Sequence, residues 1–122
     1  MESVEHFRPD TEFYTDERCY ITELHNTDAD DGCSIARARV EPGVTTRLHR
    51  VQGTIERYVI LEGSAMVTVG SAEPVVVRPL DVVNIPAGTE QCITNTGEGD
   101  LVFLCICTPR FRQADYVALD EP

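Results

Sequence analysis

Two residues able to bind a metal or move a proton stand seven positions apart: His49 and Glu56, in GVTTRLHRVQGTIERYVILEG, Gly43 to Gly63. Imidazole is a metal ligand and a base near neutral pH, and a carboxylate can ligate or exchange a proton. On an extended chain Arg47, His49 and Val51 share one face, and Glu56, Tyr58 and Ile60 share a face of the next run. A hairpin turning through Gln52 to Ile55, with Gly53 in it, sets His49 and Glu56 side by side. That geometry suits a metal ion or an acid–base pair. The same side chains can also satisfy each other by hydrogen bonds with no ion present. Tyr58 adds a phenol able to serve as a general acid. Arg47 has the parity of His49, and Arg37 and Arg39 share one face of SIARARV. Facing a cavity, these guanidiniums clamp a carboxylate-bearing metabolite; facing outward, they pair with surface acids.

The elements that must position these groups are short. Apolar or alternating runs recur, each closed by a turn signal: CYITEL, SIARARV, TRLHRV, ERYVIL, AMVTV, PVVV, VVNI, QCIT and LVFLCIC. About nine strands at near-regular spacing predict an all-β sandwich or barrel. Only RQADYVAL, residues 112–119, reads as a short helix. The chain of 122 residues suits a single domain with one core. Residues 1–18 read as an irregular or edge-strand extension.

Composition narrows the chemistry. The net charge is −11, and residues 1–31 hold ten acids against Arg8 and Arg18. Such a field disfavours nucleic acid and anionic membranes as partners. Every basic residue is arginine, so no lysine is present to form a Schiff base. LVFLCIC is the longest apolar run and falls short of a membrane span. Five cysteines, none in a CxxC or zinc-ribbon spacing, fit a reducing compartment, and the start lacks the features of a secretory signal. A cytoplasmic protein is expected.

The first motif resembles that of the cupins, small double-stranded β-helix barrels. Gly43, His49, Glu56 and Gly63 stand at the family's spacing, with Val51 in the place of a second histidine. In PLDVVNIPAGTEQCITN, Pro86, Gly88 and Asn95 match the second motif, while Leu80 replaces its glycine and Gln91 its histidine. The resemblance covers residues 34–108 and leaves 109–122 as a C-terminal tail. It implies an all-β jelly-roll barrel and a divalent metal, Mn, Fe, Ni or Zn, on His49, Glu56 and Gln91. That first shell is thin: valine cannot ligate, and an amide oxygen is a poorer donor than imidazole.

Two readings of function follow. In one, a small cupin binds a carboxylate-bearing metabolite through Arg47, Arg37 and Arg39, with a weakened metal site. In the other, a metal-dependent isomerase or lyase, less readily a dioxygenase, acts on a sugar or keto-acid with Glu56 or Tyr58 moving protons. By resemblance, either forms a homodimer.

Overall fold

The computed structural model describes residues 3–120, so the outer ends of the expected N-terminal extension and C-terminal tail lie outside the described residues. The strands are β1 (Phe13–Tyr14), β2 (Tyr20–His25), β3 (Ser34–Val40), β4 (His49–Val51), β5 (Ile55–Glu62) and β6 (Ala65–Val69). They continue as β7 (Val75–Val77), β8 (Val82–Ile85), β9 (Gln91–Asn95), β10 (Leu101–Thr108) and β11 (Tyr116–Ala118). One sheet has the order β1-β2-β3-β10-β5-β8, the other β11-β4-β9-β6-β7. Among the described residues there is no α-helix, only 3-10 turns at Pro9–Thr11 and Gln113–Asp115. Among the described residues no helix is long and apolar enough to cross a membrane.

Each of the nine runs read from the sequence carries a strand, because alternation places one set of side chains between the sheets. Ile60, Ile93 and Leu101 are fully buried there, with Ile85 and Phe103 at 2% exposure. LVFLCIC becomes β10, paired with β3 on one side and β5 on the other, with Phe103 opposite both Ala38 and Ile60.

Two expectations are corrected. Residues 112–119 do not form a helix: a 3-10 turn leads into β11, which pairs with β4. Eight residues are too few to hold a helix by themselves, whereas β4 offers a free edge of backbone donors and acceptors to Tyr116 and Val117. Nor do the runs around His49 and Glu56 form a hairpin. β4 lies in the five-stranded sheet and β5 in the six-stranded one, so the link at Gln52 to Thr54 crosses between layers. His49 and Glu56 both point inward, but from opposite sheets.

The motif's other positions are structural. The buried Asn95 donates from Nδ2 to the carbonyls of Val40 (2.9 Å) and Gly99 (2.8 Å), and its Oδ1 accepts from the Gly97 N–H at 2.9 Å. Gly63 has φ of 87°, and a Cβ there would meet the Asp100 carbonyl oxygen at 3.0 Å. Leu80, in the place of a motif glycine, has φ of 73°. That region costs a residue with a Cβ about 1–2 kcal/mol. Its side chain is 79% exposed and recovers little by burial. Leu80→Gly is therefore expected to raise stability by up to about 1 kcal/mol once the extra flexibility of unfolded glycine is deducted. An unchanged or lower urea midpoint would show that the turn carries no strain.

Candidate functional site

A cavity of about 600 Å³ opens between the sheets, with an inner void of about 50 Å³ beyond it. Glu17, Glu56 and Tyr116 border both. The inward positions of β5 carry Glu56 (7% exposed) and Tyr58 (3% exposed), and β9 begins with Gln91 (1% exposed) on the facing sheet. Three groups make one directed chain. The Tyr58 hydroxyl donates to Gln91 Oε1, and Gln91 Nε2 donates to Glu56 Oε1 at 2.7 Å. Because the tyrosine fixes which end of the amide is the acceptor, Glu56 Oε1 receives an N–H. Glu56 Oε2 has no hydrogen-bond partner among the described residues. Burial raises the Glu56 carboxyl to about 7, against the lowering effect of the Gln91 bond; the Glu17 charge adds to the rise and His49 opposes it. The proton of neutral Glu56 therefore sits on Oε2, the oxygen left free for the cavity.

His49, 3% exposed, is held from three sides. Its Nδ1–H donates to the Arg47 carbonyl at 2.7 Å. Its Nε2 stands 2.9 Å from Glu17 Oε1. Its ring stacks on Tyr116 with centroids 5.1 Å apart and planes at 23°. A carbonyl can only accept, so Nδ1 carries a proton; a contact between Nε2 and a carboxylate needs a second. Burial pulls the imidazole pKa down, but the Glu17 hydrogen bond and charge, with the Arg47 carbonyl, outweigh it and leave it raised. The contact with Glu17 thus favours the protonated form of the imidazole.

Glu17 was not legible as a site residue. It arrives on a turn that the sequence shows only as acidic. Its N–H donates to Thr15 Oγ1 at 3.2 Å, and its carbonyl accepts from Arg47 N–H at 3.0 Å. Arg18, next in the chain, takes φ of 71°. This places the carboxylate against His49 from a segment far away in sequence.

The arginines are placed differently from the expected clamp. Inward positions on β3 belong to Ser34, Ala36 and Ala38, which turns Arg37 and Arg39 to the outer face. There Arg39 pairs with Glu12 (2.6 Å) and Asp100 (3.1 Å) and lies 4.1 Å from the Tyr20 ring centroid. Arg37 reaches Glu12 at 3.3 Å. Strand parity decides this once β3 packs its small residues inward. Arg47 does border the cavity. Its Nε and Nη2 nevertheless donate to Asp120, to the side-chain Oδ1 at 3.0 Å and the backbone carbonyl at 3.1 and 2.7 Å. The same carboxylate accepts from Leu48 N–H at 2.9 Å. Tyr58 is committed to Gln91, and burial raises its hydroxyl well above the usual phenol range. Cys105 and Cys107 border the cavity, but burial pushes their thiols up, Cys107 to about 12, which makes them poor nucleophiles.

The description of the Cupin domain matches residues 36–107. The chain is a cupin. It is 34% identical over 87 residues to the uncharacterized protein MJ1618 of Methanocaldococcus jannaschii, covering 71% of this chain and 69% of that one. A structure described as a "predicted oxalate decarboxylase" from Thermotoga maritima superposes with a TM-score of 0.68 at 28% identity, over 75% of this cupin and 80% of that chain. Pac13 of Streptomyces, described as a nucleoside dehydratase, superposes with a TM-score of 0.77 at 14% identity, over 96% of this chain and 92% of that one.

Cupins often hold a divalent metal, and the donor set here does not fit one. Val51 offers no lone pair. Both ends of the Gln91 amide are used by Tyr58 and Glu56, and His49 Nε2 is turned to Glu17. Among the described residues no three His, Cys, Asp or Glu side chains converge for an ion.

Removing the Glu17 charge should leave burial as the main influence on His49. Glu17→Gln is expected to lower the His49 pKa, read from imidazole nitrogen shifts by NMR. A raised folded pKa stabilises fully below the ordinary value of 6.5 and loses that contribution as pH rises through the folded value. The variant should lose this part of the pH dependence of unfolding. An unaltered His49 titration would mean that the two groups do not form an ion pair.

Proposed function

We propose that this cupin binds a small, non-anionic molecule in its lumen and exchanges a proton with it through Glu56, without a resident metal. The observation that carries this reading is Glu56 itself. It is a buried carboxyl whose proton-bearing oxygen is left free at the cavity, with a pKa raised to about 7 where acid and base forms are both populated at neutral pH. Gln91 and Tyr58 position it: the amide holds Oε1 and the phenol holds the amide. His49 borders the inner void, but both of its ring nitrogens are committed, Nδ1 to the Arg47 carbonyl and Nε2 to Glu17, which leaves Glu56 as the group free to act on a bound molecule.

The reading departs from a carboxylate-bearing ligand because the guanidiniums expected to receive it are engaged with Glu12, Asp100 and Asp120. It departs from a metal on His49, Glu56 and Gln91 because those donors are spent on one another and on Glu17. Loss of water or migration of a double bond needs an acid and a base in fixed positions and no metal. The dehydratase described for Pac13 supports the feasibility of such chemistry in this fold.

Elemental analysis of untagged protein should find no stoichiometric Mn, Fe, Ni or Zn. A stoichiometric ion lost in His49→Ala would sink the metal-free reading. Screening against neutral sugars, nucleosides, amines and carboxylates by thermal shift should give hits outside the carboxylates. For a turned-over hit, Glu56→Gln should lower kcat by about 100-fold or more with a smaller change in KM. Retained turnover would remove Glu56 from the chemistry. The same variant checks the carboxyl's state. Glu56 binds its proton more tightly folded than unfolded, so its contribution to stability is complete below 4.5 and declines as pH rises to about 7. In Glu56→Gln that decline should disappear.

A further inference from the structure

We propose that the molecule taken into the lumen is a small organic cation, an amine or quaternary ammonium compound; this rests on the reading of the Glu56 cavity as the ligand site. Four carboxylates border the larger cavity: Asp16, Glu17, Glu23 and Glu56. The cationic groups that could balance them are already engaged. His49 is matched by Glu17 at 2.9 Å, and Arg47 is turned to Asp120 at 3.0 Å. Arg37 and Arg39 face outward on Glu12, and the chain contains no lysine. Asp16, Glu23 and Glu56 are thus left without an ion-pair partner among the described residues. Glu56 is the decisive member. It is 7% exposed, and its Oε2 lacks a partner where the cavity provides space for one.

The walls agree with the charges. Phe13 and Tyr14, 50% and 58% exposed, stand at the cavity with Phe111 and Tyr116. Ring faces carry negative potential and attract a cation within about 6 Å, while they repel an anion. Aromatic side chains interleaved with carboxylates suit an ammonium group twice over: a formal partner for the charge and apolar surface for its substituents. The Tyr116 hydroxyl is buried without a hydrogen-bond partner, and Tyr116 is among the residues that border both spaces. A ligand N–H or O–H would satisfy it. The whole-chain charge of −11 draws cations towards the opening and repels carboxylates.

Three probes of like shape separate the alternatives: 2-phenylethylammonium, its neutral N-acetyl derivative and the anionic 3-phenylpropionate. Isothermal titration calorimetry of the full chain at about pH 8 is expected to show the ammonium binding about tenfold or more tighter than the neutral probe. The carboxylate should give no measurable heat, and added salt should weaken the ammonium alone. The double variant Asp16→Asn, Glu23→Gln should cut the preference for the ammonium while circular dichroism and the urea midpoint confirm that it folds. No binding of the ammonium, equal or tighter binding of the carboxylate, or an unchanged preference in the folded double variant would overturn the proposal. Failure here is distinguishable from failure of the Glu56 reading. A neutral molecule converted with full dependence on Glu56 would overturn the cation and leave the proton exchange standing. A cation bound tightly, with conversion indifferent to Glu56→Gln, would do the reverse.

Discussion

Gln91 joins the two sheets. Glu56 and Tyr58 project from β5 in one layer, and Gln91 meets them from β9 in the other, so both ends of one amide are engaged across the lumen. A polar group left unsatisfied at that depth would cost about 1–3 kcal/mol, and a charge far more. The lumen thus keeps a carboxyl only because a neutral, two-ended partner stands opposite it. An imidazole in that position could not receive from the phenol and donate to the carboxylate in the same way while also offering a lone pair to a metal. Glutamine at this position orients Glu56 and partly offsets the rise in its pKa that burial causes.

The chain ends complete what the barrel leaves open. Glu17 arrives on the turn between β1 and β2 and meets His49 Nε2 at 2.9 Å. From the other end, β11 zips onto the free edge of β4, lays Tyr116 on the imidazole, and brings Asp120 onto Arg47 and the Leu48 N–H. Both terminal segments therefore set the electrostatics of the site. Each adds a carboxylate that cancels a cation, which leaves the remaining lumen acids in excess. The likeness to Pac13 spans 96% of this chain, beyond the 36–107 that match the family description, so the terminal segments fall largely inside that shared fold.

How much of this was legible in the sequence differs by residue. The spacing of Gly43, His49, Glu56, Gly63 and Asn95 specified the barrel, because turn glycines and an amide that caps its own loop are local requirements with fixed spacing. Strand parity gave the inward direction of His49, Glu56 and Tyr58. Parity could not say which sheet each strand joins, and the expected hairpin became a crossover. For Arg37 and Arg39 it offered two faces and no way to choose; Ala38 in the core and Ala36 at the cavity wall made the choice. The segment 112–119 carried a weak helical pattern, overruled by an edge of unpaired backbone. Glu17 had no sequence signal at all, since nothing local distinguishes it from its acidic neighbours.

By itself, then, the sequence determined the architecture, the pair of inward ionisable groups, and the loss of two imidazoles from a four-donor pattern. These follow from period-two alternation and from residues whose conformational demands are met within a few positions. Tertiary structure alone decided what these donors meet. It placed Glu17 on His49, Asp120 on Arg47, and the Gln91 amide between Tyr58 and Glu56. Those contacts join residues dozens of positions apart, and their geometry exists only once two sheets and both terminal segments have closed around one cavity.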